Sequence, residues 1–374
     1  MVESNIERDL TFEVVDDLAL SAYMNHGLAA HAREESSFCQ PAGWRAWATA
    51  FLPGNGWSGP LRYYICRERQ TICGIIPFAR QKISIISIAS LAGYYWPYRS
   101  IYIASGPKEP NKVLSALGQH LATKPPAAIL RFGPISSRDT MMRGVIQELL
   151  KAGWIGICKE MGPVFELDLS SGIDALKATA SPSLLKHIEY SRRRLAKTAG
   201  PITFERNALG DSTQQLEELA KVETRSWLPT KGGQLKFEGV DNQKFWTRLA
   251  TEAQVELERV VWNMRCNGKA VAFSAHLETD RNIYIIANSY DEEWKSHSPG
   301  SLLTLEVLQD GVKRGKRLVD WGQGDSGYKG RWGAVDGSVL YDVMIFKPCF
   351  RGRLAAKLAK RALPTWTATL DSLF

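Results

Sequence analysis

The chain has 374 residues, of which 44% are hydrophobic and 23% are charged, and these values exclude a wholly disordered or fibrous protein. At roughly 150 residues per domain, this length predicts two domains. The net charge of +8 favours anionic partners, namely nucleic acid, an acidic membrane surface or a phosphorylated ligand, and does not choose among them.

The cysteines and histidines form no metal-binding or redox motif in the sequence. The six cysteines include no CxxC pair, and the six histidines include no HExxH. We therefore predict reduced, mostly buried thiols and no structural metal. The N-terminus is polar and acidic, unlike a secretory signal, and the most apolar stretch, 83–93, is too short and too β-like to span a bilayer. These features predict a cytoplasmic protein.

The first half alternates segments of strand and helix character. Stretches rich in Ile, Tyr and Val predict strands at 61–68, 71–83, 100–105, 127–135 and 155–169. Between them, amphipathic stretches predict helices at 111–124 and 140–154.

The second half repeats this order. Helices are predicted at 184–200, 214–228, 241–253 and 301–315, and strands at 202–208, 255–266, 269–279, 282–290, 316–321 and 338–346. The turn Asn267-Gly268 is a strong hairpin signal between two of these strands.

This order predicts an α/β (α+β) protein of two tandem units, each a mixed, mostly antiparallel sheet flanked by helices. We place a first unit at 1–168, a second at 169–349 and a basic amphipathic tail at 350–374. The stretch DWGQGDSGYKGRW, 320–332, follows a predicted strand with an acid and four glycines, which predicts a tight loop or a close backbone approach.

Several motifs of the second half resemble those of one enzyme superfamily. They are Arg192-Arg193-Arg194-Leu195, Gly200, Arg225, Trp227, Gly268, Val271-Ala272, Tyr284, Tyr290-Asp291, Ser298-Pro299-Gly300, Leu302-Leu303, Asp320, Gly322, Gly324 and Tyr328-Lys329. Over roughly 170–346 the chain resembles the GNAT acyltransferases, in the CelD-like branch related to the FemABX peptidyltransferases, where two such units lie in tandem. The first half shares the resemblance in outline.

The resemblance implies that acyl-CoA binds between two neighbouring strands, with its pyrophosphate at the start of the following helix. A helix N-terminus suits a phosphate because its N–H groups are unsatisfied and carry partial positive charge. The usual GNAT phosphate loop, Gln/Arg-x-x-Gly-x-Gly/Ala, is absent here. CoA is the expected donor, with an acyl carrier protein or aminoacyl-tRNA as alternatives, and no permanent cofactor is expected.

Direct acyl transfer to an amine requires a base and an acid, and no covalent intermediate. Strand alternation places His276 on a face of small residues that ends in Glu278, so His276 is the first candidate base; a histidine satisfied by a neighbour is the alternative. Asp320 is the second candidate base or an ammonium ligand, unless it anchors its loop. Tyr328 is the candidate acid, with an aromatic lid as the alternative.

The binding candidates divide between donor and acceptor. The donor candidates are Ser298, which could cap the helix, Pro299, Gly300, Ser301, Lys329 and Arg193. The acceptor candidates are Arg225, Trp227, Trp96, Tyr98 and Trp332. A solvated helix face is the alternative for Arg193, and core packing is the alternative for the aromatic stretch 93–100.

These features predict an acyl-CoA-dependent N-acyltransferase of lipid or cell-envelope biosynthesis. The acceptor would be a primary amine, on a sphingoid-type long-chain base or an envelope sugar. The alternatives are a FemABX-like aminoacyl-tRNA-dependent transferase and a non-catalytic scaffold in envelope polysaccharide assembly. Apart from tRNA in the FemABX-like alternative, nucleic acid is not expected as a partner.

The tail predicts a membrane-surface helix. On a helix Phe350, Leu354 and Leu358 align, and basic residues cover much of the remainder, namely Arg351, Arg353, Lys357, Lys360 and Arg361. We expect peripheral docking at an anionic inner membrane face; the alternative is that this apolar stripe packs against the protein itself.

Overall fold

The structure, a computed structural model, describes residues 10–16, 39–54, 56–83, 86–93, 99–104, 110–198, 200–252, 257–324, 327–366 and 370. The first half contains, in order, β1 (Leu10–Val15), α1 (Pro41–Phe51), β2 (Arg62–Glu68), β3 (Thr71–Ile83), β4 (Ile86–Leu91), β5 (Tyr102–Ile103), α2 (Pro110–Thr123), β6 (Ile129–Ser136), α3 (Thr140–Lys151) and β7 (Ile155–Asp168).

The second half contains α4 (Gly172–Thr179), α5 (Pro182–Thr198), β8 (Ile202–Ala208), α6 (Thr213–Thr224), α7 (Val240–Thr251), β9 (Glu258–Cys266), β10 (Lys269–Glu278), β11 (Asn282–Tyr290), α8 (Pro299–Lys313), β12 (Leu318–Gln323), β13 (Val335–Phe346) and α9 (Phe350–Ala362). No helix in the described part of the chain is long and apolar enough to cross a membrane.

Local chemistry explains why the main elements begin and end where the sequence predicts. Asp139 caps the N-terminus of α3, and its carboxylate accepts hydrogen bonds from the N–H groups of Met141 and Met142 at 3.1 and 3.0 Å. The predicted hairpin between β9 and β10 turns at Asn267 and Gly268, which have φ angles of 51° and 76°.

The chain divides into two compact units, and the division differs from the predicted one. The first unit comprises 1–162 and 339–374, and the second comprises 163–338. The predicted boundary at 168/169 lies close to the first division. Residues 339–349, which we assigned to the second unit, belong to the first because the end of β13 pairs with β6, as at Ile345 with Leu130.

The two units are built alike. In the first, β1 to β4 form an antiparallel meander, β6 lies parallel to β4 after the crossover helix α2, and the end of β13 lies antiparallel to β6. In the second, β8 to β11 form the meander, β12 lies parallel to β11 after α8, and the end of β7 lies antiparallel to β12. Each unit thus takes its last strand from the other half of the sequence.

Each unit has its own hydrophobic core. In the first, α2 and α3 pack over the sheet with Leu117, Val145 and Phe132 among the fully buried side chains. In the second, α8 and α5 cover the sheet with Leu308, Leu195 and Val319 in the core. In this core α8 packs against β9, β10 and β11.

The crossing of α2 and α3 gives a test of the first unit. A Cβ at Gly118 would overlap the Glu148 Cβ and approach the Val145 carbonyl oxygen at 3.1 Å. We expect Gly118→Ala to lower the free energy of unfolding by about 1–3 kcal/mol, because the helices cannot approach as closely. Urea unfolding followed by circular dichroism measures the change.

Gly144→Ala, in α3, is the matched control. Its Cβ would meet the Leu114 Cδ1 at 3.4 Å, an ordinary contact, so the alanine should leave stability unchanged or raise it by up to about 1 kcal/mol. Equal effects from the two substitutions would contradict the close crossing.

Candidate active site

A cavity opens in the second unit where two parallel strands stop pairing. Residues 282–284 of β11 pair with 318–320 of β12, and the cavity lies beyond these pairs, along the end of β11. Its volume is about 390 Å³, within the range of small-molecule sites. It is lined by Trp227, Lys231, Phe273, Ser274, Asn288, Ser289, Tyr290, Glu292, Lys295, Gly300, Ser301, Leu303, Thr304, Tyr328 and Trp332.

The N-terminus of α8 forms one wall of this cavity. Pro299 occupies the first helical turn, and Gly300 lines the cavity with its Cα against the ring of Tyr290. Within the described part of the chain the Gly300 N–H makes no hydrogen bond. We expected that Ser298 could cap this helix, but its side chain makes no capping hydrogen bond. Ser298 adopts the left-handed conformation, and its Oγ lies 2.6 Å from His187 Nε2.

A second wall carries a chain of three polar side chains on one face of β10. Ser274 lines the cavity, and its Oγ lies 2.7 Å from Nε2 of His276. The opposite ring nitrogen, Nδ1, lies 3.4 Å from Oε1 of Glu278. His276 and Glu278 are fully buried, so Ser274 is the member of this chain that reaches the cavity.

Glu278 is held ionised by cations. Arg314 donates to its carboxylate at 2.6 Å, and Arg206 and Lys316 lie 3.5 Å from it. Although burial raises the pKa of Glu278, the hydrogen bonds from His276 and Arg314 outweigh burial and bring the pKa well below its usual range. An ionised carboxylate can only accept hydrogen bonds.

The ionised Glu278 determines the proton positions on His276. Burial lowers the pKa of His276 below its usual 6.5, against the opposing effect of Glu278, so the imidazole is neutral at pH 7. Because Glu278 only accepts, Nδ1 of His276 carries the proton and Nε2 is left as an acceptor. Ser274 then donates its hydroxyl proton to Nε2, which polarises the Ser274 oxygen at the cavity surface.

The glycine-rich loop after β12 is tied to itself by two side chains. Asp320 is buried, and its Oδ1 accepts a hydrogen bond from the Gly322 N–H at 2.6 Å. The Lys329 ammonium donates to the carbonyl oxygens of Trp321, Gly322 and Gln323 at 2.9 to 3.1 Å.

These bonds place the two aromatic residues of the loop at the cavity. Tyr328 and Trp332 both line it. The Tyr328 hydroxyl oxygen accepts a hydrogen bond from Asn288 Nδ2 at 3.1 Å, which joins the loop to the end of β11. The glycines that follow Asp320 adopt positive φ angles, 65° at Gly322 and 73° at Gly324, as such a turn requires.

Comparisons with known proteins agree with this architecture. Residues 182–330 match the family model of the acetyltransferase (GNAT) domain. The matched residues lie within the second unit, which therefore contains a GNAT transferase domain. No curated protein compared with the chain matches it significantly.

Two solved structures share the fold of the chain over most of its length. FemX is 9% identical, with 93% of this chain and 99% of that chain covered and a TM-score of 0.57. A conserved protein of unknown function from Bacteroides thetaiotaomicron VPI-5482 is 11% identical, with 91% and 100% covered and a TM-score of 0.51. The predicted fold class, two tandem GNAT-like units, is confirmed.

The structure brings part of the predicted site together. Of the predicted residues, the cavity of the GNAT domain is lined by Trp227, Gly300, Ser301, Tyr328 and Trp332. His276 contacts the cavity only through Ser274. Trp96 and Tyr98 lie outside the described residues.

The remaining predicted residues do not line the cavity. Asp320 and Lys329 make hydrogen bonds to the backbone of the glycine loop. Arg193 is exposed on α5, and Arg225 is half-exposed with its guanidinium 3.5 Å from Asp291. These four are not carried into the site that we propose.

Several residues that line the cavity were not predicted from the sequence. Ser274 lies on the same strand face as His276, so the alternation pattern already held the signal for it. Asn288, Lys231, Glu292 and Lys295 had no such signal, because polar residues at strand ends and in connections are common.

A buried carboxylate fixes the connection that carries Trp227 and Lys231. Glu223, at the end of α6, is fully buried and accepts hydrogen bonds from the N–H groups of Lys236 at 2.8 Å and Phe237 at 2.9 Å. The bonds close the segment after α6 into a loop, and Trp227 of this loop lines the cavity.

We expect Glu223→Gln to loosen this loop. The amide has one acceptor oxygen in place of two and no charge, so the free energy of unfolding should fall by about 1–3 kcal/mol. The amides of Lys236 and Phe237 should exchange with deuterium faster, which mass spectrometry after proteolysis detects. Glu217→Gln, exposed on the same helix, should change neither value; unchanged exchange in Glu223→Gln would contradict the assigned role.

Proposed function

We propose that this GNAT domain is an acyl-CoA-dependent N-acyltransferase, which moves an acyl group from a thioester to a primary amine. The observation that carries the proposal is the chain from Ser274 through His276 to Glu278, which ends at the cavity that the N-terminus of α8 also lines. The chain can accept a proton at the cavity, and the start of α8 offers backbone N–H groups to an anion.

The donor site is proposed at the start of α8. The Gly300 N–H and the helix dipole favour a pyrophosphate there, and Lys231 and Lys295 add positive charge at the cavity. Lys231 lies 5.4 Å from the centre of the Trp227 ring, and Lys295 lies 3.0 Å from Glu292, so both have a fixed neighbour. No role is proposed for Ser298 beyond its contact with His187.

The base is proposed to be His276, acting through Ser274. As the amine nitrogen bonds to the thioester carbonyl carbon, the amine proton passes to Ser274 Oγ, and the Ser274 proton passes to His276 Nε2. The imidazolium that forms is stabilised by the Glu278 carboxylate. Neutral His276 is ready to accept at pH 7 because burial lowers its pKa.

The leaving thiolate is proposed to take its proton from Tyr328. The C–S bond breaks as the carbonyl re-forms, and the Tyr328 hydroxyl, held by Asn288, protonates the sulfur. His276 then returns its proton through Ser274 to the phenolate, so the products are an amide and free CoA thiol and the protein is unchanged.

The acceptor is proposed to be an amine of lipid or envelope type. Aromatic and aliphatic side chains form much of the cavity wall, among them Trp227, Phe273 and Leu303, and these suit an alkyl chain. A long-chain sphingoid-type base fits this lining better than a sugar amine. Such substrates lie in membranes, and an enzyme associated with the membrane surface would reach them directly.

The assay uses the full chain with acyl-CoAs of graded length and a panel of amines, and it follows free CoA thiol and product mass. We expect thiol release that depends on a long-chain amine. Parallel reactions with acyl carrier protein and with aminoacyl-tRNA test the other donors. A product from aminoacyl-tRNA alone, or no product from any donor, would overturn the proposal.

The proposed proton relay, from Ser274 to His276 and its partner Glu278, gives a kinetic prediction. Ser274→Ala and His276→Gln should each lower kcat by roughly 10²- to 10³-fold, and the double variant should be no slower than either, because both residues serve one proton transfer. Below pH 6.5 the wild-type rate should fall more steeply than protonation of the acceptor amine explains, because His276 gains a proton, and this additional fall should be absent in His276→Gln.

Ser191→Ala is the matched control. Ser191 is a buried serine of the same unit, its Oγ has no hydrogen-bond partner in the described part of the chain, and its loss should leave kcat unchanged. Full turnover in Ser274→Ala, or losses of kcat that multiply in the double variant, would contradict the proton relay. Acyl transfer itself is tested separately by the product assay.

A further inference from the structure

The C-terminal helix α9 packs on the first unit through its small residues. Gly352 and Ala356 are buried, and Ala355 and Ala359 are half-buried against a cluster that includes Phe346. A Cβ at Gly352 would overlap the carbonyl oxygen of Lys347, so glycine is required for this close contact. The small residues therefore form the inward face of α9.

The large apolar residues of α9 point away from that face. Phe350 is 82% exposed, Leu354 48% and Leu358 54%. They lie four residues apart, which places them in one row along the helix, about 12 Å long at 1.5 Å per residue. The sequence alternative, in which this row packs against the protein itself, is wrong.

Positive charge surrounds the exposed row. At about 100° per residue, Arg353, Lys357 and Lys360 lie on one side of the row, Arg351 lies on the other, and Arg361 lies beside Phe350 in projection. All five are exposed, and none of them makes an ion pair or hydrogen bond through its side chain within the described residues. The exposed surface of α9 carries no acidic residue.

We propose that this surface of α9 docks on the interface of an anionic lipid bilayer. An apolar row flanked on both sides by long basic side chains fits a bilayer, because the row enters the acyl boundary while the cations reach the headgroups. A nucleic acid would leave Phe350, Leu354 and Leu358 in water. A protein groove would have to supply both an apolar slot and acidic rims.

Docking is independent of the proposed acyl transfer, although it would bring a membrane-embedded acceptor within reach. Vesicle binding is measured without substrate, so failure of one claim is distinguishable from failure of the other. The full chain is mixed with vesicles of phosphatidylglycerol and phosphatidylcholine, or of phosphatidylcholine alone, and is sedimented at low and high salt. We expect binding to the anionic vesicles at low salt and a loss at high salt.

Two sets of variants test the two parts of the surface. The triple variant Phe350→Ser, Leu354→Ser and Leu358→Ser should bind anionic vesicles roughly tenfold more weakly or worse, because the apolar row is lost. The triple variant Arg353→Gln, Lys357→Gln and Lys360→Gln should lose a similar factor. Neither changes the buried face of α9, so both should unfold at the wild-type temperature.

The matched control removes the same charge elsewhere. Lys221→Gln, Lys244→Gln and Lys313→Gln are exposed changes in the second unit and should leave vesicle binding unchanged. Absence of wild-type binding at low salt, equal loss in the control, or wild-type binding by the serine variant would overturn the proposal. So would a dimer seen by light scattering that needs the apolar row while vesicles bind nothing.

Discussion

The candidate site depends on one buried carboxylate that is kept ionised. Burying a charge is unfavourable unless it is paired and hydrogen-bonded, and Glu278 meets both conditions through Arg314, Arg206 and Lys316. Because Glu278 stays ionised at neutral pH, its carboxylate can only accept hydrogen bonds. Nδ1 of His276 must therefore carry the ring proton and donate it to Glu278. The acceptor nitrogen of His276 is thereby directed to Ser274, and through it to the cavity.

Other elements of the GNAT domain line the same cavity. β11 and β12 are parallel and pair over only their first residues, so their ends part and the start of α8 lies beside the gap. The loop after β12 is held closed by Lys329 and Asp320 and presents Tyr328. Ser274, the start of α8 and Tyr328 therefore line one cavity, although they come from distant parts of the sequence.

Much of the fold could be predicted from the sequence. One face of most helices and strands is buried, so their apolar residues recur at the spacing of a helix or a strand. The alternation of side chains along β10 correctly predicted that His276 and Glu278 lie on one face. Asn267-Gly268 forms the predicted hairpin between β9 and β10. The exchange of β7 and β13 between the units was not predictable, since strand pairing over long separations leaves no local signal. Nor could the sequence show that the charges of Asp320 and Lys329 are used within their own loop.

The tautomer and charge of His276 test the central claim most directly. With the full chain labelled with ¹⁵N-histidine, NMR at pH 7 should show one neutral ring protonated at Nδ1, with a pKa below 6.5, which is assigned through its absence from His276→Gln. In Ser274→Ala the Nε2 shift should move while the Nδ1 proton remains. A ring protonated at Nε2, or an imidazolium at pH 7, would contradict the relay.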